Sequence, residues 1–252
     1  MLTTQRKSLL LARLAAEGQL VAKDLATELG TSEDTIRRDL RELAAEGRLQ
    51  RVHGGALPAS PALGDLGTRA GLSTADKQAL GRHGAALVRP GQVVILDGGT
   101  TALQVARHLP RDLRATVVTH SPNVALELAA CPDVEIRMLG GRLFRHSMVN
   151  VGAAVIEAAA RVRADLFFLG VTGVHPETGL STGDAEEAEV KRALMRSAAE
   201  TVVLASAEKL LAASPFIVAP LREAGAVVVP RGTADKVVKT LRAGGVAVHR
   251  AA

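Results

Sequence analysis

From Thr31 to Leu43 the chain reads TSEDTIRRDLREL, with hydroxyls and acids first and Arg37, Arg38 and Arg41 after them. Guanidinium groups on one short helix suit two tasks, forking onto guanine O6 and N7 or gripping a phosphate. The sequence leaves open which of these Arg37 and Arg38 would each do. Thr31 or Ser32 would cap the helix start by accepting a free backbone N–H, and a start capped that way can face phosphate. Ser32, Glu33, Thr35, Arg37, Arg38 and Arg41 share the polar face, while Ile36, Leu40 and Leu43 recur at helical spacing on the other. A second cluster, Asp97-Gly98-Gly99-Thr100-Thr101, closes the apolar run VVIL and opens a helical pattern. Free N–H groups, two hydroxyls and a helix dipole would receive an anion there, most naturally a phosphate. Two more strand ends, His120-Ser121 and Gly140-Gly141-Arg142, would converge on the same rim, with Arg142 or Lys209 adding positive charge.

The elements that must position these residues are legible on either side. VAKDLATELG (21–30) predicts a short helix with Leu25, Ala26 and Leu29 on its apolar face, closed by Gly30. Two short helices about a tight glycine turn, the second one cationic, fit a helix laid in a major groove. Residues 4–16 predict another helix, offering Leu9, Leu10, Ala12 and Leu14 as packing surface. RLQRVHGGALP predicts a two-stranded wing tipped by Gly54-Gly55, with Arg48, Arg51 and His53 set to meet the DNA backbone or minor groove. Residues 1–58 hold nine Lys and Arg against eight Asp and Glu, so local clustering, not net charge, points to DNA.

A length of 252 residues allows two domains. The expected division is a winged helix-turn-helix over 1–58, a weakly structured Pro- and Gly-rich linker over 59–75, and a larger α/β domain over 76–252. In that last part short Val-, Ile- and Leu-rich runs alternate with helical runs. Strands are expected at 93–97, 115–120, 134–141, 165–173 and 201–206, with three more in FIVAP, AVVVP and VAVHR. Helices are expected near 101–109, 122–130, 152–162 and 184–199. Such alternation indicates a mostly parallel, Rossmann-like sheet covered on both faces. With no Trp or Tyr, its cores must be built from Ala, Val and Leu. No apolar run reaches the roughly 20 residues that cross a bilayer, and the N-terminus lacks an export signal. The single Cys131, read as an ordinary small residue, excludes an internal disulfide and fits a reducing cytoplasm. The net charge of +5 is mild for this length.

Other titratable residues suggest structure first. The scattered His and lone Cys do not space a metal site, and no cofactor is expected. Residues 184–192 read as a helix start with acids in its first turn and an i,i+4 pair of Glu187 with Lys191. A pocket role for Glu186, Glu187 or Lys191 is the alternative. Asp165 is either a turn residue or a pocket contact.

Taken together, R-x-x-x-x-L-x-x-L near the start, TS-x-x-TIRRDL-x-x-L, RVHGGA, Arg69 and Lys77, LDGGTTALQVA, VVTHSPNVALEL, LGGRL, ADLFFLGVTG, GLST and EAEVKRALM resemble the DeoR family of bacterial transcriptional regulators over nearly the whole chain. The resemblance implies a winged helix-turn-helix joined to a sensor domain with the fold of ribose-5-phosphate isomerase. It implies repression of a sugar-catabolism operon, relieved by a phosphorylated sugar. By the same resemblance Asp97, Gly99, Thr100 and Thr101 would hold that ligand, with His120, Ser121, Gly141, Arg142 and Lys209 nearby. The chain departs from the family pattern at His120, commonly Asn, at Ser206-Ala207-Glu208-Lys209, commonly Asp-x-Ser-Lys, and at Pro230-Arg231, where an Asp is usual.

The expected function is thus that of a DNA-binding regulator, a dimer or larger homo-oligomer because helix-turn-helix proteins read paired half-sites. Two alternatives stand beside it. One is isomerase-like catalysis on a sugar phosphate, for which Asp97 and Glu187 are the only acid/base pair on offer. The other is a constitutive DNA-binding protein whose second domain only oligomerises.

Overall fold

The computed structural model describes residues 2–251. The N-terminal unit runs α1 (Thr3–Glu17), β1 (Leu20–Val21), α2 (Ala22–Glu28), α3 (Glu33–Ala45), β2 (Leu49–Val52) and β3 (Gly55–Pro58). Leu10, Leu14, Leu25, Ile36, Leu40, Leu43 and Leu49 close its core. Leu9 is half-buried, but Ala12 is exposed, so α1 presents a narrower apolar face than its composition suggests. The wing is antiparallel, Leu49 opposite Pro58 and Val52 opposite Gly55, and β1 adds a third short strand to it.

The segment expected as a loose linker is ordered. It contains a 3-10 turn at Pro61–Leu63 and α4 (Leu66–Ala70), capped by Asp65, whose side chain accepts from Thr68 N at 2.7 Å. Ser60 and Ala62 are buried. Small residues are what let this stretch lie flat against the larger domain.

That domain continues with α5 (Thr74–Leu87), β4 (Val93–Leu96), α6 (Thr100–His108), β5 (Ala115–Thr119), α7 (Pro122–Leu128), β6 (Val134–Met138), β7 (Arg142–Phe144), β8 (Val149–Val151), α8 (Ala153–Ala159) and β9 (Ala164–Leu169). After them come β10 (Gly173–His175), β11 (Gly179–Thr182), α9 (Ala185–Arg196), β12 (Ala198–Leu204), β13 (Phe216–Ala219), β14 (Ala226–Val229), α10 (Asp235–Ala243) and β15 (Ala247–Arg250). Seven strands form one sheet in the order β15-β14-β12-β9-β4-β5-β6, every neighbouring pair parallel. Side chains alternate across it. Val94 and Leu96 pack with Leu80, Val105 and Leu128 from α5, α6 and α7, while Ile95 faces Val155, Leu194 and Leu241 from α8, α9 and α10. Two smaller pieces were not foreseen: the β7–β8 hairpin, and an antiparallel sheet of β10, β11 and β13. The expected strand at 165–173 is divided between β9 and β10, because Gly170 turns the chain out of the main sheet.

The strand order decides where a ligand site falls. From β4 the chain winds outward through β5 to β6, then returns to β9 on the other side of β4 and winds away through β12, β14 and β15. The reversal leaves a crevice beyond the carboxyl ends of β4 and β9, the usual ligand position in open α/β sheets.

Candidate functional site

The polar face of α3 is built as its sequence suggests. Ser32 Oγ accepts from Thr35 N at 3.2 Å and caps the helix. Arg37 is held by Glu33, Nη2 to Oε1 2.7 Å, whereas Arg38 and Arg41 are exposed and form no ion pair or hydrogen bond among the described residues. Arg48, Arg51 and His53 are exposed along the wing, and a hollow of about 200 Å³ lies between Arg37 on α3 and Arg51 and His53. Beneath that face Asp39 is fully buried and paired with Arg6 of α1, Nη2 to Oδ1 3.2 Å in the longer of two contacts. This pair fixes the roll of α3 against α1 and so aims its arginines.

At the crevice, Asp97 ends β4 with 0% exposure and four donors around its carboxylate. Gly98 N (2.7 Å), His120 Nε2 (2.7 Å), Lys191 Nζ (2.7 Å) and Gly170 N (2.8 Å) all point at it. Burial would raise its pKa, but the charge of Lys191 and the hydrogen bonds from His120 and Lys191 hold it well below the ordinary carboxylate range. His120 Nδ1 lies 2.8 Å from Asn150 O, so each ring nitrogen faces an oxygen acceptor. Asp97 is thus a buried tie between β4, β9, α9 and the start of α7.

Above that tie the chain turns through Gly98 and Gly99 into α6. Gly99 has φ +94°, a conformation that favours glycine, and a β-carbon on Gly98 would overlap Val149. No side chain caps α6, so its first N–H groups face the crevice beside Thr100 and Thr101. Lys209 reaches Thr101 Oγ1 at 3.4 Å; burial pushes its pKa down to about 8. Lys77, on α5, donates to Arg69 O at 2.6 Å. Arg69 itself is lowered by burial, against the pull of Glu187 and Asp97, and its Nη2 is buried with no hydrogen-bond partner. The cleft lining therefore sets four cations (Arg69, Lys77, Lys191, Lys209) against two carboxylates (Glu187, Glu208). An excess of positive charge beside an uncapped helix start suits an anion. Its free volume is about 30 Å³, room for water, but across Arg69 it adjoins a hollow of about 290 Å³.

Two family models match this chain, the DeoR-like helix-turn-helix domain over residues 6–61 and the DeoR C terminal sensor domain over 72–231. The chain belongs to the DeoR family. Among curated relatives, the HTH-type transcriptional regulator GlpR of Haloferax volcanii is 35% identical over 212 residues, 83% of either chain. The putative aga operon transcriptional repressor of Escherichia coli O157:H7 is 30% identical over 253 residues, covering 98% of this chain and 93% of its own. Among solved structures, ribose 5-phosphate isomerase A of Methanocaldococcus jannaschii is 19% identical over 54% of each chain, with a TM-score of 0.41, a likeness too loose to argue from.

Against this DeoR-family frame the expected site residues divide into three groups. Gly98, Gly99, Thr100, Thr101 and Lys209 line the cleft. Asp97, His120 and Ser121 lie beneath it; Ser121 Oγ donates to Met148 O at 3.3 Å, and His120, expected near the ligand, is spent on Asp97. Gly141 and Arg142 are outside it, on the exposed β7 hairpin, where Arg142 pairs with Glu186. The expected Glu187–Lys191 pair is absent among the described residues, because Lys191 turns inward to Asp97. Asp165 sits at the opposite end of the sheet, accepting from Val93 N at 2.8 Å, and is no pocket contact. Sequence reasoning gave Arg69, Lys77 and Glu208 no place in the site. The available signal for Lys77 is a charge on the apolar stripe it shares with Leu80, Gly81 and Gly84.

Proposed function

We propose that this DeoR-family regulator is a repressor of a sugar-metabolism operon. In this reading it works in the cytoplasm as a homo-oligomer, grips operator DNA through α3 and the β2–β3 wing, and loosens that grip when a phosphorylated sugar occupies the cleft. The observation that carries the effector half is Arg69, whose buried, unpartnered Nη2 lines a cleft floored by the uncapped start of α6. A phosphate there gives Arg69 Nη2 its acceptor and takes hydrogen bonds from Thr100, Thr101 and Lys209. Because the free space is small, a ligand must displace the Arg69 side chain toward the adjoining hollow.

Arg69 also supplies the route to DNA. It lies on the segment that leaves the wing, and that segment is fastened throughout. Pro58 O accepts from Ala213 N at 3.2 Å, Ser60 Oγ donates to Thr172 O, Leu66 N donates to His146 O at 2.9 Å, and Ala62 lines the cleft. Movement of Arg69 is thereby passed to β3. A ligand that favours one arrangement of this strap lowers operator affinity by its differential binding to the two arrangements.

Catalysis is disfavoured by one contact set: Asp97, half of the acid/base pair that the sequence offers, is sealed below the cleft by four donors. The test is anisotropy of labelled DNA from the gene's own upstream region, at fixed salt, titrated with the protein in the presence of a panel of sugar phosphates. Specific binding relieved by one compound is expected. Specific binding unmoved by every compound would instead favour a constitutive DNA-binding protein.

A further inference from the structure

The cleft holds a second orphan of opposite kind. Glu208 has 10% side-chain exposure; its Oε1 accepts from Ser206 Oγ at 2.7 Å and lies 3.5 Å from Lys77 Nζ, while its Oε2 is buried with no partner. Burial pushes this carboxyl up, yet the hydroxyls of Ser73 and Ser206, its own backbone N–H and the charge of Lys209 leave it below its ordinary value, so the group is an ionised acceptor at neutral pH. A buried carboxylate oxygen without a donor is costly to keep and accepts only from N–H or O–H. Glu187, buried, lines both this cleft and the adjoining hollow, where Asp184 joins it. The adjoining hollow thus sets the carboxylates of Asp184 and Glu187 against Arg69 and His146, while Glu208 stands in the cleft itself.

Resting on the phosphorylated-sugar reading, we infer that Glu208 is a specificity-determining residue: its free Oε2 accepts from a hydroxyl or ammonium group of the effector. The same charge rejects phosphate esters that carry a second anionic group. The ligand class is then a neutral or amino sugar, or polyol, with one phosphate; phosphorylated sugar acids and bisphosphates bring a second anionic group against the Glu208 carboxylate and are disfavoured by like-charge repulsion. A site can discriminate strongly in this way because the wrong ligand leaves buried charges opposed, not merely unmatched.

The experiment is calorimetry on the full chain with glucose phosphate, glucosamine phosphate, phosphogluconate and inorganic phosphate. Wild type should bind the first two at least about tenfold more tightly than phosphogluconate. Glu208→Gln keeps the shape and Ser206's acceptor but removes the charge, and should bring the three esters to within about threefold of one another. A purely structural role would weaken all of them together and leave the ratios alone. If Glu208→Gln does not fold, Glu208→Asp serves: the withdrawn carboxylate should weaken glucose phosphate while phosphogluconate stays excluded. Phosphogluconate binding as well as glucose phosphate in wild type, or ratios unchanged in the variants, would overturn the inference. Inorganic phosphate binding with no ester bound at all would instead overturn the sugar-phosphate reading beneath it.

Discussion

Replacing Asp97 with Asn should cost far more than the loss of one hydrogen bond. The carboxylate accepts from His120, Lys191, Gly98 and Gly170, all between 2.7 and 2.8 Å, and has no exposure to water. Asn offers one acceptor oxygen in the same shape. Turned toward Lys191 and Gly170, its NH2 opposes the N–H groups of His120 and Gly98; turned the other way, it opposes Lys191. In either case Lys191 remains buried without its counter-charge, and removing one partner of a buried pair costs about 3–5 kcal/mol. Urea unfolding followed by far-UV circular dichroism measures this; with no Trp in the chain, tryptophan fluorescence is not an option. Lys191→Met should lose a comparable amount, and the double variant should lose much less than the sum of the two. The pH dependence has a definite sign. Folding depresses the Asp97 pKa, so the stability it contributes is present above the unfolded value of about 3.9 and is lost as pH falls below it toward the folded value. Asp97→Asn should therefore remove part of the acid limb below about pH 4. A loss under about 1 kcal/mol, or strict additivity with Lys191→Met, would refute the view of Asp97 as a buried charged tie.

Other outcomes follow from the same geometry. Lys209, pushed down to about 8 by burial, gains a counter-charge when phosphate binds, so ester affinity should fall as pH rises through that value; calorimetry across pH checks this, and Lys209→Met should flatten the profile. Arg38→Ala should weaken operator binding by about 1–3 kcal/mol in an anisotropy titration if the side chain reads a base. Asp39→Ala strands Arg6 in the core of the N-terminal unit and should destabilise it by about 3–5 kcal/mol, seen as an earlier unfolding transition by circular dichroism.

How much of this was legible in the sequence depends on the range of the interaction. Ile36, Leu40 and Leu43 at helical spacing, Ser32 before them, and the glycines at Gly54 and Gly98–Gly99 are local signals, and the helix, its cap and both turns lie where those signals put them. Strand order is not local, so nothing in the runs VVIL and DLFFLG revealed that β4 and β9 are neighbours or that the crevice falls between them. The linker was misread because Pro, Gly and Ala serve a flexible chain and a flat, packed strap equally well. Gly140-Gly141-Arg142 was misread because a Gly-rich strand end can lead into a hairpin instead of a pocket. The buried charges left a fainter trace. Asp39 and Lys191 share apolar stripes with Ile36 and Leu43, and with Leu194, and a charge on such a stripe must find a partner. That rule predicts a buried pair, but the partners, 33 and 94 residues away, emerge only with the fold.

The measurement that bears most directly on the central claim is operator affinity for wild type and for Thr100→Ala/Thr101→Ala, each with and without the relieving phosphorylated sugar. Both proteins should bind the operator equally well without ligand. Wild type should then lose affinity when the sugar phosphate is added, and the double variant should hold on. Normal release from the double variant would place the effector away from the start of α6 and contradict the account.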